Sequence, residues 1–136
     1  MKKVLIVIAD YYEDISSSLL KSAKNNLNNF SINVIKVPGV FEIPVTISKN
    51  IKKYDAFIAL GCVIKGETPH FDFISSASTQ AIMNISVEFK KPIGNGIITC
   101  LNMKQAKARG KKGKEAAKPS GDSPSAIGPG NACPPI

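Results

Sequence analysis

The chain has 136 residues, 43% of them hydrophobic and 21% charged, which fits one globular domain with a single core and excludes a wholly disordered polypeptide. Its 18 Lys and Arg against 10 Asp and Glu give a net charge of +8, compatible with nucleic acid, an acidic membrane surface or an anionic small molecule as partner. The longest apolar runs, VLIVIA at 4–9 and AFIALGCVI at 56–64, fall well short of the ~20 residues of a membrane span.

Met1-Lys2-Lys3 ahead of Val4–Ala9 has the outline of a leader, but Asp10 and further acidic residues follow where a small-residue cleavage site would stand. The run therefore reads as a first strand, β-branched and buried on both faces. Ile15–Phe30 places Ile15, Leu19, Leu20, Ala23, Leu27 and Phe30 at helical spacing, with Asp14 as N-cap. Ile32–Val37 predicts a second strand, Glu42–Ile51 a short helix and Ala56–Ile64 a third strand. A long helix is expected over Asp72–Glu88, a fourth strand over Ile93–Thr99 and a basic helix over Asn102–Ala117. Strand–helix alternation repeated four times predicts an α/β domain with a parallel sheet and right-handed crossovers. Ligands of such sheets bind beyond the carboxyl ends of the strands.

Those ends carry the informative residues. After the first strand, Tyr11 and Tyr12 offer aromatic faces on which a planar ring can stack; equally, one can cover the sheet and the other face solvent. After the second, the Pro38-Gly39 turn leads to Phe41 and Glu42, which either begin a helix or line a pocket. After the third, Gly61 to Asp72 includes Val63, Gly66, Glu67, Thr68 and His70, the only histidine of the chain. The segment runs into a helix, so its amides suit an anion such as phosphate, and His70 suits proton transfer or a hydrogen bond at the helix start. One histidine without a carboxylate cluster does not make a metal site. Around the fourth strand, Gly94-Asn95-Gly96 suggests a bulge or a close ligand approach.

Composition changes near position 117. Residues 118–136, KPSGDSPSAIGPGNACPPI, hold five of the nine prolines and three of the ten glycines. This segment has too little apolar periodicity to fold on its own. The division expected is therefore a domain over 1–117 and a Pro/Gly/Ser-rich, disordered tail over 118–136, of foreign origin or natural. Cys62, Cys100 and Cys133 form an odd set without CxxC spacing, which favours a reducing cytoplasm over a disulfide framework.

VPGVFEIP at 37–44, ALGCVIKGETPHFDFI at 59–74, and NGIIT with NMKQAKAR at 95–109 together resemble the 6,7-dimethyl-8-ribityllumazine synthase family over roughly residues 1–117. The resemblance implies a flavodoxin-like three-layer α/β/α sandwich with a four-stranded parallel sheet, assembled as a pentamer or a 60-subunit shell. It also implies condensation of 5-amino-6-ribitylaminouracil with 3,4-dihydroxy-2-butanone 4-phosphate, without metal or organic cofactor. By residue, it implies that Tyr11 stacks on the pyrimidine and that Phe41 and Glu42 hold the ribityl chain. Val63 is counted among the substrate-binding residues, Glu67 and Thr68 with the phosphate loop, and His70 as the proton-transfer group. Asn95, Arg109 and Lys112 are implied to come from a neighbouring subunit, with Arg109 on the substrate phosphate and Lys112 the best match to a pocket lysine.

Tyr12 stands where Asn is common in the family. The family's strand-adding residues before the first strand are reduced or absent here. Its last helix, normally several turns longer, is truncated at Ala117. Rival readings are a non-catalytic flavodoxin-like domain holding a flavin or lumazine, a member inactivated by its altered end, and a nucleic-acid binder. Residues 1–103 carry 11 basic and 8 acidic groups, a net +3, whereas 104–118 carry 7 basic and 1 acidic, a net +6. That basic run has no interleaved aromatics on which bases could stack, and a phosphorylated substrate accounts for it. Neither nucleic acid nor membrane is an expected partner.

Overall fold

The computed structural model describes residues 2–67 and 70–108. Thr68, Arg109, Lys112, the later part of the expected basic helix and the tail lie outside the described residues. Four strands, β1 (Lys3–Ala9), β2 (Ser31–Val37), β3 (Ala56–Ile64) and β4 (Ile93–Cys100), alternate with helices α1 (Glu13–Lys24), α2 (Ile43–Lys49), α3 (Phe71–Phe89) and α4 (Met103–Ala108). All strand pairs are parallel, in the order β2-β1-β3-β4.

Alternation along the strands sorts the core into two layers. Val4, Ile6 and Ile8 of β1 join Ile58, Leu60, Cys62 and Ile64 of β3 against Ile15, Leu19 and Ala23 of α1 and Ala106 of α4. Leu5, Val7 and Ala9 join Phe57, Ala59 and Val63 against Ile43 and Ile47 of α2 and Ile82 of α3. The fold is thus the three-layer, flavodoxin-like α/β/α sandwich with a four-stranded parallel sheet. β3 is buried at all nine positions, while β2, at the sheet edge, is half-exposed.

Element boundaries differ from the expectation where polar residues compete. α1 ends at Lys24 rather than Phe30, because Asn25 and Asn26 break it. Leu27 and Phe30 still reach the core through a turn held by Leu27 N–H to the Lys24 carbonyl and Phe30 N–H to the Leu27 carbonyl. The N-cap is Tyr12, not Asp14; Glu13 and Asp14 lie in the first turn, where they suit the helix dipole. The expected helix from Glu42 is a 3-10 turn over Val40–Glu42 followed by α2, with Pro44 in its first turn where no amide is missed. No helix among the described residues is long and apolar enough to cross a membrane.

At the amino end of the sheet, Lys91 ties two connections together. Its ammonium donates to the Ile51 carbonyl at 2.6 Å and the Tyr54 carbonyl at 2.9 Å, and Ser86 Oγ donates to the Lys91 carbonyl at 2.8 Å. Lys91→Met keeps the stem and removes the donor. It is expected to lower stability by about 1–2 kcal/mol, seen as a lower urea midpoint at unchanged slope.

Candidate functional site

The strand order reverses between β1 and β3. From β1 the chain steps out to β2 on one side, then crosses to β3 on the other. In an open parallel sheet the loops part at such a switch point and leave a crevice at the carboxyl ends. Three adjacent strands, β2, β1 and β3, deliver their loops to this rim, and these loops carry most of the residues singled out from the sequence.

The β1–α1 turn is pinned at both ends. Asp10 N–H donates to the Val37 carbonyl at 3.2 Å. The buried Ser16 Oγ donates to the Ala9 carbonyl at 2.8 Å, and Ser16 N–H to the Tyr12 carbonyl at 2.9 Å. Between these anchors the two tyrosines diverge. Tyr11 is 75% exposed, whereas Tyr12 packs against the α1-side core. Their rings meet edge to face, 4.9 Å between centroids at 83°. Tyr12 also lines a partly open cavity of about 230 Å³ with Glu13, Asp14, Ile15 and Met103.

The β2–α2 loop is seated on the sheet by Val40, which is buried. Gly61 on β3 makes that seat: a Cβ there would lie 2.8 Å from Val40 Cγ2 and 3.3 Å from Ala9 Cβ. Val40 in turn fixes its neighbours Phe41 and Glu42 at the rim. Glu42 N–H donates to the Gly39 carbonyl, and its own carbonyl accepts from Thr46 Oγ1. Its half-buried carboxylate lies over Gly39, where a Cβ would come 3.1 Å from Oε1. Phe41, 53% exposed, meets Phe73 of α3, 64% exposed, at 5.9 Å between centroids. Phe73 was not singled out from the sequence. Its position three residues after His70, on the first turn of α3, was the available signal.

After β3, a 3-10 turn over Lys65–Glu67 leads towards His70, an exposed residue that caps α3. Its carbonyl accepts from Ile74 N–H at 2.9 Å, and its imidazole makes no capping bond. A Cβ on Gly66 would lie an ordinary 3.5 Å from the Leu101 carbonyl, so packing within the described chain does not demand glycine there. Val63 is buried on the α2/α3 face of β3.

Asn95 stands apart from this rim. It is the third residue of β4, in register with Ala59, and 4% exposed. Its Oδ1 accepts from Ile97 N–H at 3.0 Å; the bulge that the flanking glycines suggested is not formed, because β4 pairs one-to-one with β3 through Gly94, Asn95 and Gly96. At the end of β4, Asn102 Oδ1 accepts from Gln105 N–H and begins α4.

A single parallel sheet covered by helices on both faces, with aromatic, carboxylate and imidazole side chains on the rim of its switch point, has the architecture of the α/β proteins whose ligands bind beyond the carboxyl ends of the strands. The family model described as 6,7-dimethyl-8-ribityllumazine synthase matches residues 1–120. The chain is 46% identical over 120 residues to 6,7-dimethyl-8-ribityllumazine synthase 1 of Rhodopseudomonas palustris, covering 82% of this chain and 74% of that one. It is 42% identical over 130 residues to the Nitrobacter hamburgensis enzyme of that name (85% and 80% covered). With the Bartonella tribocorum one it shares 46% over 114 residues (80% and 76% covered). The chain belongs to the 6,7-dimethyl-8-ribityllumazine synthase family.

Proposed function

We propose that the protein is a transferase of riboflavin biosynthesis that joins 5-amino-6-ribitylaminouracil to 3,4-dihydroxy-2-butanone 4-phosphate, yielding 6,7-dimethyl-8-ribityllumazine, phosphate and water. Family membership supports the reaction. The observation that carries it to this chain is the common rim: Tyr11, Phe41, Glu42 and His70 lie on loops from three neighbouring strands.

In this reading the exposed face of Tyr11 stacks on the pyrimidine, and Phe41 bears on the ribityl chain while Glu42 accepts from its hydroxyls. The amine attacks the ketone of the second substrate and an imine forms with loss of water. His70 moves protons during that step, during departure of phosphate and during closure of the second ring, which releases a second water. Glu67, Thr68 and Arg109 receive the phosphate, Val63 backs the pocket, and Lys112 adds a positive charge. Gathering both substrates in one orientation supplies much of the rate. Asn95, Arg109 and Lys112 serve an adjacent copy, so the working form is a homo-oligomer, a pentamer or a 60-subunit shell. The exposed Val45, Phe73 and Val87 support burial against such copies. The odd, non-CxxC cysteine set supports a reducing, cytoplasmic setting. Residues 1–117 form the catalytic domain, and 118–136 lie outside it.

The test is to mix both substrates with the purified chain and follow lumazine fluorescence, with a sizing column reporting the assembly. Fluorescence that rises no faster than without protein would refute the reading. Arg109→Ala is expected to raise KM for the butanone phosphate at least tenfold and leave KM for the pyrimidine within about twofold, because a charge-assisted phosphate contact is lost. Initial rates with each substrate varied in turn separate the two constants.

A further inference from the structure

We propose that Tyr12 is a positioning residue for the pyrimidine substrate, holding the Tyr11 ring in the orientation in which it stacks. This rests on the stacking role of Tyr11 given above. The backbone of the turn is fixed by the Asp10 to Val37 and Ser16 to Ala9 hydrogen bonds, so the freedom left to Tyr11 lies in its own side-chain torsions. At 75% exposure, little of the protein touches that ring. The described ring contact is the edge-to-face one with Tyr12, at 4.9 Å and 83°. Tyr12 can serve as a support because it is itself held, packed on the α1-side core. A T-shaped contact covers at most one face of Tyr11 and leaves the other for a ligand.

An exposed aromatic that is free to rotate loses rotamer entropy when a ligand immobilises it. Tyr12 removes part of that loss before the ligand arrives. Edge-to-face pairs of this kind are worth a factor of about three to ten in an equilibrium constant. A residue with a short polar side chain at position 12 would leave Tyr11 without this support.

The geometry also makes the test practicable. Tyr12 already borders a partly open cavity of about 230 Å³, so Tyr12→Leu enlarges an existing space instead of opening one inside the packed core. The full chain is compared with Tyr12→Phe, Tyr12→Leu, Tyr11→Ala and the Tyr11→Ala/Tyr12→Leu double variant. Calorimetric titration with 5-amino-6-ribitylaminouracil gives Kd, and steady-state rates give KM for each substrate.

Tyr12→Leu is expected to weaken pyrimidine binding about three- to tenfold and to leave KM for the butanone phosphate within twofold. Tyr12→Phe, which keeps the ring and with it the edge-to-face contact, should lose less pyrimidine affinity than Tyr12→Leu. In the Tyr11→Ala background, Tyr12→Leu should have no further effect on Kd. The inference is overturned if Tyr12→Leu binds the pyrimidine normally, if it harms both substrates alike, or if its effect persists undiminished without Tyr11. Absence of pyrimidine binding by the unaltered chain would instead overturn the substrate reading together with the inference. A chain that binds it but shows no coupling between the two tyrosines overturns the inference alone.

Discussion

His70→Ala is expected to slow lumazine formation about a hundredfold while KM for each substrate stays within about twofold. The fold makes almost no use of this imidazole. It is exposed and makes no capping bond, and the first turn of α3 is closed by the His70 backbone carbonyl, which any residue supplies. Loss of the ring should therefore leave the thermal midpoint nearly unchanged, and the deficit should be one of proton movement. General acid–base groups contribute about 10²–10⁴-fold. Turnover measured across a pH series, alongside a melting curve, checks this. An unchanged turnover number would remove His70 from the chemistry.

Gly61→Ala is expected to damage the fold and the site together. The added methyl would lie 2.8 Å from Val40 Cγ2 and 3.3 Å from Ala9 Cβ. Gly61 belongs to an interior strand paired on the β4 side through Ile97, so the strand cannot retreat. Val40 is β-branched and buried, with few rotamers to choose from, so the loop must lift. Overpacking of this kind costs about 1–3 kcal/mol. Phe41 and Glu42 follow Val40 directly and would leave their places on the rim. The expected result is a lower urea midpoint with a raised KM for the ribityl-bearing substrate. Val40→Ala added to Gly61→Ala should recover much of the stability, because it removes the atom that the new methyl strikes. A double variant no more stable than Gly61→Ala alone would show that the clash lies elsewhere.

The sandwich was legible because its strands are unusually unambiguous. Val4–Ala9 and Ala56–Ile64 are apolar at every position, which suits only a strand covered on both faces. The rule for parallel sheets then directed attention to the carboxyl ends of the strands. What periodicity could not supply was the placement of single side chains. Leu27 and Phe30 keep helical spacing with α1 yet lie beyond it, because a turn can return a side chain to the same core. Adjacent tyrosines look equivalent in a sequence, but one faces solvent and the other the core, a difference set by tertiary packing. Phe73 gains its partner Phe41 from a loop over thirty residues earlier in the chain. Asn95 sits near the start of β4, in register with Ala59; its distance from the rim depends on a register no local pattern encodes.

The complete burial of β3 also bears on how the chain is made. AFIALGCVI has no charge and no proline, features that favour uncontrolled strand pairing when such a segment is exposed. As the chain leaves the ribosome, β1 is available to cover one edge of β3, but β4 follows only after all of α3 has been synthesised. Until then the other edge presents open backbone groups beside a wholly apolar surface. The strand that holds the centre of the finished sheet is therefore the segment most exposed to misassembly during synthesis. Slower expression and refolding at low protein concentration favour the correct partner.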